Sequence, residues 1–199
     1  MDFVHRWIPG TDGQTVLLLH GTGGDEDDLL ELGRGVAPDA SFLSPRGKVL
    51  ERGMPRFFRR LAEGVFDLDD LRLRTHELAD WIGESARQYQ FDVKGLVALG
   101  YSNGANIAAS LLLMRPEVLG DAILLRAMLP FEAEPSLSEK RVLMANGKQD
   151  TIISLASATR LAEVLRGGGA KVEFNISEGG HGLEQRDIDE ARRWYGTLL

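Results

Sequence analysis

The sequence predicts an α/β protein: a single domain over residues 1–199, built on a mostly parallel sheet of about seven strands, with helices on both faces and no large cap. Three observations point there. Short apolar runs without helical period alternate with amphipathic stretches, the signature of βαβ units. Glycine-rich loops follow several of those runs, as expected where strands give way to helices. The chain has 199 residues, 43% of them hydrophobic, enough for one ordinary domain with a full core.

Taken in order, strands are expected at 3–8 and 15–20, a helix at 26–33 and a strand at 40–44. The stretch 45–67 is long and glycine-punctuated and receives no element. A helix at 69–90 opens on Asp69-Asp70, acidic side chains suited to a helix N-terminus. Gly95-Leu96-Val97-Ala98-Leu99 is an apolar run that places a strand at 95–101. Ala105 to Met114, rich in the helix formers Ala, Leu and Met, places a helix at 103–114. Strands follow at 121–128 and 141–146, with a helix at 153–166 that Gly167-Gly168-Gly169 should stop. Lys171 to Ile176 alternates polar and apolar residues like a half-buried strand, and a helix at 186–198 closes the chain. The segments after 101 and after 129 are too short for a helical cover, so an open cleft is expected. No repeat, low-complexity tract or second domain appears.

Gly100-Tyr101-Ser102-Asn103-Gly104 lies between the strand at 95–101 and the helix at 103–114. Gly-x-Ser-x-Gly in that setting describes a nucleophile elbow, where glycines make room for a strained turn that lifts the serine Oγ clear of the sheet. A serine is a weak nucleophile without a base and a group to orient that base. The chain order for this fold is Ser, then Asp or Glu, then His. Asp150 follows the strand at 141–146, in the turn-rich loop Asn146-Gly147-Lys148-Gln149-Asp150. His181 follows the strand at 171–176, in the loop Glu178-Gly179-Gly180-His181-Gly182. Asp150 would hold the far nitrogen of His181. Taken singly, Asp150 also reads as a turn former or helix N-cap, and His181 as a solvated loop residue. A tetrahedral intermediate further needs N–H donors aimed at its oxyanion. Asn103, after the nucleophile, supplies one, and Thr22 in the loop His20-Gly21-Thr22-Gly23-Gly24 is the candidate for the second. That loop lacks the Lys-Ser/Thr of a phosphate loop and the Gly-x-Gly-x-x-Gly spacing of a dinucleotide site.

On these residues the chain resembles the α/β-hydrolase superfamily, and within it the bacterial phospholipase/carboxylesterase family that includes the acyl-protein thioesterases. The resemblance spans the chain from about residue 14 onward. Its carriers are His20 to Glu26, Gly100 to Asn106, Gly147 to Asp150 and Gly180-His181-Gly182-Leu183. The stretches Ser44 to Glu51 and Gly53 to Arg60 are similar to the branch associated with quinone-responsive hydrolases and small esterases. The resemblance implies a carboxylic ester hydrolase with Ser102 as nucleophile, Asp150 as orienter and His181 as base, and oxyanion donors at the Thr22 and Asn103 amides. Two departures stand out. A proline common after the acid is replaced near Ser154, and the Trp-Phe-Asp of the thioesterases is absent.

Within the stretch 45–67, Phe57 or Phe58 is expected to wall a substrate pocket, together with Met128 at the end of its strand and Gly23 and Leu183 in the motif loops. The surrounding arginines, Arg46, Arg52, Arg56, Arg59 and Arg60, have two readings, a solvated face covering the sheet, which is favoured, or a pocket wall that sets an arginine near a substrate carboxylate or phosphate. His5, His20 and His76 share no ligand spacing, so no metal and no cofactor are expected, and His20 should fix backbone.

A net charge of −7 and a pI near 5.2 disfavour nucleic acid and anionic membranes as partners. With no cysteine, disulfides and thiolate metal sites are excluded. The first residues lack an apolar signal core, which makes the cytoplasm the expected location. A homodimer is left open. Two function classes follow: a serine esterase acting on a short-chain or small aryl ester, or a hydrolase fold kept as a binding module. Thioesterase or lysophospholipase action would use the same residues.

Overall fold

The computed structural model describes residues 2–199. Seven strands form the main sheet: β1 (His5–Ile8), β2 (Thr15–Leu19), β3 (Ser41–Pro45), β8 (Leu96–Tyr101), β9 (Asp121–Leu125), β10 (Arg141–Gly147) and β11 (Lys171–Ser177). Their spatial order is β1-β3-β2-β8-β9-β10-β11. Every pair is parallel except β1, which runs antiparallel to β3 along the register His5↔Pro45 to Ile8↔Phe42. The inner strands are covered on both faces, which is why they read as unbroken apolar runs: all of Thr15-Val16-Leu17-Leu18-Leu19 is buried. The edge strand β11 is instead half-buried along most of its length, without the expected alternation.

Among the described residues five α-helices sandwich the sheet. Helices α2 (Leu68–Tyr89), α3 (Asn103–Met114) and α4 (Leu155–Gly167) pack on one face, contributing Leu78, Ile82, Ile107, Leu111, Leu161 and Leu165 to its core. Helices α1 (Leu30–Val36) and α5 (Gln185–Tyr195) cover the other through Val36, Ala191 and Trp194. Among the described residues no helix is long and apolar enough to cross a membrane.

Strand β2 has β3 on one side and β8 on the other, so the chain reverses its direction of winding there. At the C-terminal edge of such a switch point the flanking loops part and leave a crevice. The loops after β2 and β8 are those that carry Thr22 and Ser102.

Two expectations are corrected. The strand expected to reach 128 stops at Leu125, because Arg126 turns into the left-handed region at φ 59°. The stretch 45–67, read without elements, folds into two small hairpins, β4 (Val49–Glu51) with β5 (Met54–Arg56) and β6 (Arg60–Ala62) with β7 (Val65–Phe66). The first turns through Arg52 and Gly53, both at positive φ, the geometry that two-residue hairpin loops require. The remaining boundaries move by a few residues. The largest such shift is in α1, which starts at Leu30 because turns anchored on Asp25 and Asp27 occupy the preceding positions.

Candidate active site

Strand β8 delivers Ser102 on a turn with φ 54° and ψ −112°, a backbone conformation that L-residues rarely adopt. Its glycines are steric necessities. A Cβ on Gly100 would lie 2.6 Å from the Gly104 carbonyl oxygen, and one on Gly104 would lie 1.9 Å from that of Leu19. The turn is held by the Ser102 amide donating to Leu125 O of the neighbouring strand at 2.9 Å.

Ser102 Oγ lies 2.9 Å from His181 Nε2, and His181 Nδ1 lies 2.8 Å from Asp150 Oδ2. The Asp150 side chain is wholly buried, and its other oxygen accepts the amides of Ile152 and Ile153 at 2.8 and 2.9 Å. The carboxylate is thus fixed on both oxygens, and its tie to Nδ1 sets the tautomer that leaves Nε2 able to accept a proton. The loops of Asp150 and His181 are joined by backbone bonds, Lys148 to Ser177 O and Gln149 to Gly179 O. Tyr101 Oη donates to the His181 carbonyl at 3.1 Å.

The sequence reading missed Arg126, which holds the histidine loop. Its side chain is fully buried and makes a two-toothed ion pair with Asp187, at 3.0 and 2.6 Å. It also donates to the carbonyls of Gly180 at 3.0 Å and Gly182 at 2.8 Å, one on each side of His181. Asp187 in turn accepts the Glu184 amide, so one buried pair ties the end of β9, the histidine loop and the start of α5 together.

Neither the Thr22 nor the Asn103 amide donates to another described residue, while Gly23 N is committed to Pro55 O and Gly24 N to Gly21 O. Both positions are braced by the first hairpin. Arg56 Nη1 donates to Thr22 Oγ1 at 2.6 Å, and the Phe57 amide donates to Asn103 Oδ1 at 2.7 Å. His20 holds the loop from below: its Nδ1–H donates to Gly21 O at 2.6 Å, and its Nε2 accepts the Gly47 amide at 2.9 Å. Burial, partly opposed by the Gly21 bond, pushes His20 below the usual histidine range, so the ring is neutral and can accept that bond.

A small cavity of about 30 Å³ opens beside Ser102, lined by Thr22 and Asn103, by Arg56, Arg60 and Phe66 of the hairpins, and by Met128. The pocket expectations therefore divide. Met128 lines this cavity, its amide held by Asn106 Oδ1 at 2.9 Å. Phe57 and Phe58 do not; both are core residues, 2% and 0% exposed, with Phe57 against the His20 ring. Gly23 is exposed outside this lining, and Leu183 lines a separate hollow with Leu29, Tyr101 and Ile188. The arginines are no uniform solvated face either: Arg56 is 3% exposed, and burial and the neighbouring Arg60 push it below the usual arginine range, with Glu51 opposing. The expected open cleft is instead a narrow one, walled by the hairpins.

A parallel sheet with its crevice at the switch point, and a serine raised there on a strained turn, is the architecture of the α/β hydrolases; the chain is an enzyme of that class. It matches no protein-family model. MhqD of Bacillus subtilis (strain 168), a hydrolase by name, is 48% identical over 197 residues, which cover 98% of each chain. The crystal structure of the Bacillus cereus carboxylesterase superposes with a TM-score of 0.95 at 45% identity, covering 98% of this chain and 93% of that one. The carboxylesterase from Mesorhizobium loti gives 0.88 at 30% identity, with 94% and 90% covered. The chain belongs to the carboxylesterase family of α/β hydrolases.

Proposed function

We propose that the protein hydrolyses short-chain or small aryl carboxylic esters through an acyl-enzyme on Ser102. The observation that carries this reading is the unbroken chain of hydrogen bonds from Ser102 Oγ through His181 to Asp150. As Oγ attacks the ester carbonyl, its proton passes to His181 Nε2, and Asp150 stabilises the imidazolium at Nδ1. The developing oxyanion is received by the uncommitted amides of Thr22 and Asn103. Collapse expels the alcohol, which takes the proton from Nε2, and a water activated by the same nitrogen then releases the acid. The small volume of the cavity beside Ser102 favours short acyl groups.

The test is turnover of p-nitrophenyl acetate with and without a serine-reactive organophosphate. The expected result is one covalent label on Ser102 with loss of turnover. In Ser102→Ala both label and turnover should vanish with the fold intact, a fall on the order of 10⁴ or more. A folded Ser102→Ala protein with near-wild-type kcat would end the assignment.

A further inference from the structure

The cavity beside Ser102 has a chemical polarity that an ordinary alkyl ester does not use. His181 stands outside its lining. The group that protonates the leaving alcohol must face it, so the alcohol departs on the His181 side and the acyl part extends toward this cavity. Its lining combines the apolar side chains of Phe66, Met128, Ile152 and Ile153 with the guanidiniums of Arg56 and Arg60.

Those two guanidiniums share one counter-ion. Glu51 lies 3.3 Å from Arg56 Nε and 2.9 Å from Arg60 Nη2, which leaves one positive charge of the three groups unmatched. Arg56 is 3% exposed; its Nε donates to Phe58 O at 3.1 Å and its Nη1 to Thr22, and Nη2 has no hydrogen-bond partner among the described residues. A buried guanidinium short of charge is costly to maintain. Its planar fork is suited to a carboxylate. In a chain of net charge −7, this is a local reversal of sign placed beside the nucleophile.

We propose that the substrate's acyl group ends in a carboxylate that reaches Arg56 and Arg60, as in a half-ester of a short dicarboxylic acid such as succinic acid. The proposal rests on the esterase reading and names its substrate class. Attack forms the Ser102 Oγ–acyl bond and breaks the bond to the alcohol, which leaves with the proton held on His181. The acyl-enzyme is then a serine ester whose free carboxylate lies against the arginines, and water releases the dicarboxylic acid while restoring the serine hydroxyl.

The experiment compares kcat/KM for p-nitrophenyl hemisuccinate with that for p-nitrophenyl butyrate in the wild type, Arg60→Gln and Arg56→Gln. Succinate and butyramide are also titrated calorimetrically into Ser102→Ala with and without Arg60→Gln. The expected preference for hemisuccinate is roughly tenfold or more, equivalent to about 1.4 kcal/mol, and it should shrink toward unity in both arginine variants. Succinate should bind Ser102→Ala, butyramide should not, and Arg60→Gln should weaken the succinate signal. Because Arg60 is partly exposed, its variant keeps the test valid if Arg56→Gln fails to fold. A wild-type ratio at or below one, a ratio unchanged by Arg60→Gln, or succinate binding no better than butyramide would overturn the proposal. Should butyrate be hydrolysed without these preferences, only this inference fails. Should neither ester turn over while Ser102→Ala binds succinate, the esterase reading fails and the anion site stands.

Discussion

Arg126 is charged, wholly buried and forced into a left-handed backbone conformation, and its four partners belong to three different segments. Removing one partner of a buried ion pair leaves the other charge stranded, at a cost of about 3–5 kcal/mol. Arg126→Met should therefore lower stability by that order in urea titrations. Pairing it with Asp187→Leu should recover part of the stability but little of kcat, because the Gly180 and Gly182 carbonyls flanking His181 still lack their donor. Equal recovery of both would show that Arg126 serves only the core. Asp150→Asn keeps the shape of its side chain but no longer fixes the histidine tautomer, and kcat should fall on the order of 10⁴ with KM little changed. An unaltered kcat would shift the orienting role to another carboxylate, with Glu178 of the histidine loop first to examine; Asp121, at the opposite edge of the sheet, is bound to Arg141. At this scale the sequence discloses what sits just past a strand, which is how Ser102, Asp150 and His181 stand out. It hides Arg126, whose bonds go to backbone carbonyls more than fifty residues away and leave no pattern of residue types.

The hairpins β4–β5 and β6–β7 are the elements least visible in the sequence. Strands of two or three residues are too short to show alternation, and in this stretch Phe57 and Phe58 turn to the core while Phe66, Arg56 and Arg60 reach the cavity. Their link to the rest of the site runs partly through His20, which suggests a pH test. Burial holds the folded pKa of His20 below the unfolded value of about 6.5, so the unfolded chain binds the proton more readily. The stabilisation is complete above that value and is lost as the pH falls from it through the folded pKa. An imidazolium could not accept the Gly47 amide. His20→Gln should thus lower Tm at pH 7.5 but lose less on acidification than the wild type does. Parallel Tm profiles between pH 7.5 and 5 would show that another group sets the acid sensitivity.

Across the whole molecule, the alternation of buried strands and amphipathic helices was legible, because both faces of the inner strands are covered and their sequences say so. What encloses the substrate was harder to read, since enclosure depends on where the 49–66 hairpins fold back and not on any inserted domain. The described residues include no cap helix and the cavity beside Ser102 is narrow, so few methylenes can be buried there, and each contributes about 0.8 kcal/mol only while buried. In a p-nitrophenyl series from acetate to palmitate, kcat/KM should be highest among the shortest chains, up to about hexanoate, with no jump above the solubility limit. A steady rise to palmitate would reveal a longer groove.

The first hairpin touches both sides of the chemistry at once. Arg56 lines the cavity and grips Thr22, and the next residue along, Phe57, grips Asn103 through its backbone. In the proposed mechanism, a substitution that reshapes the cavity at this point would also move the two amides assigned to the oxyanion. On that mechanism, substrate choice and turnover number should not vary independently in this protein. Along this hairpin a lineage would change its diet only by accepting a change in speed, whereas variation at Met128 is free of that bond.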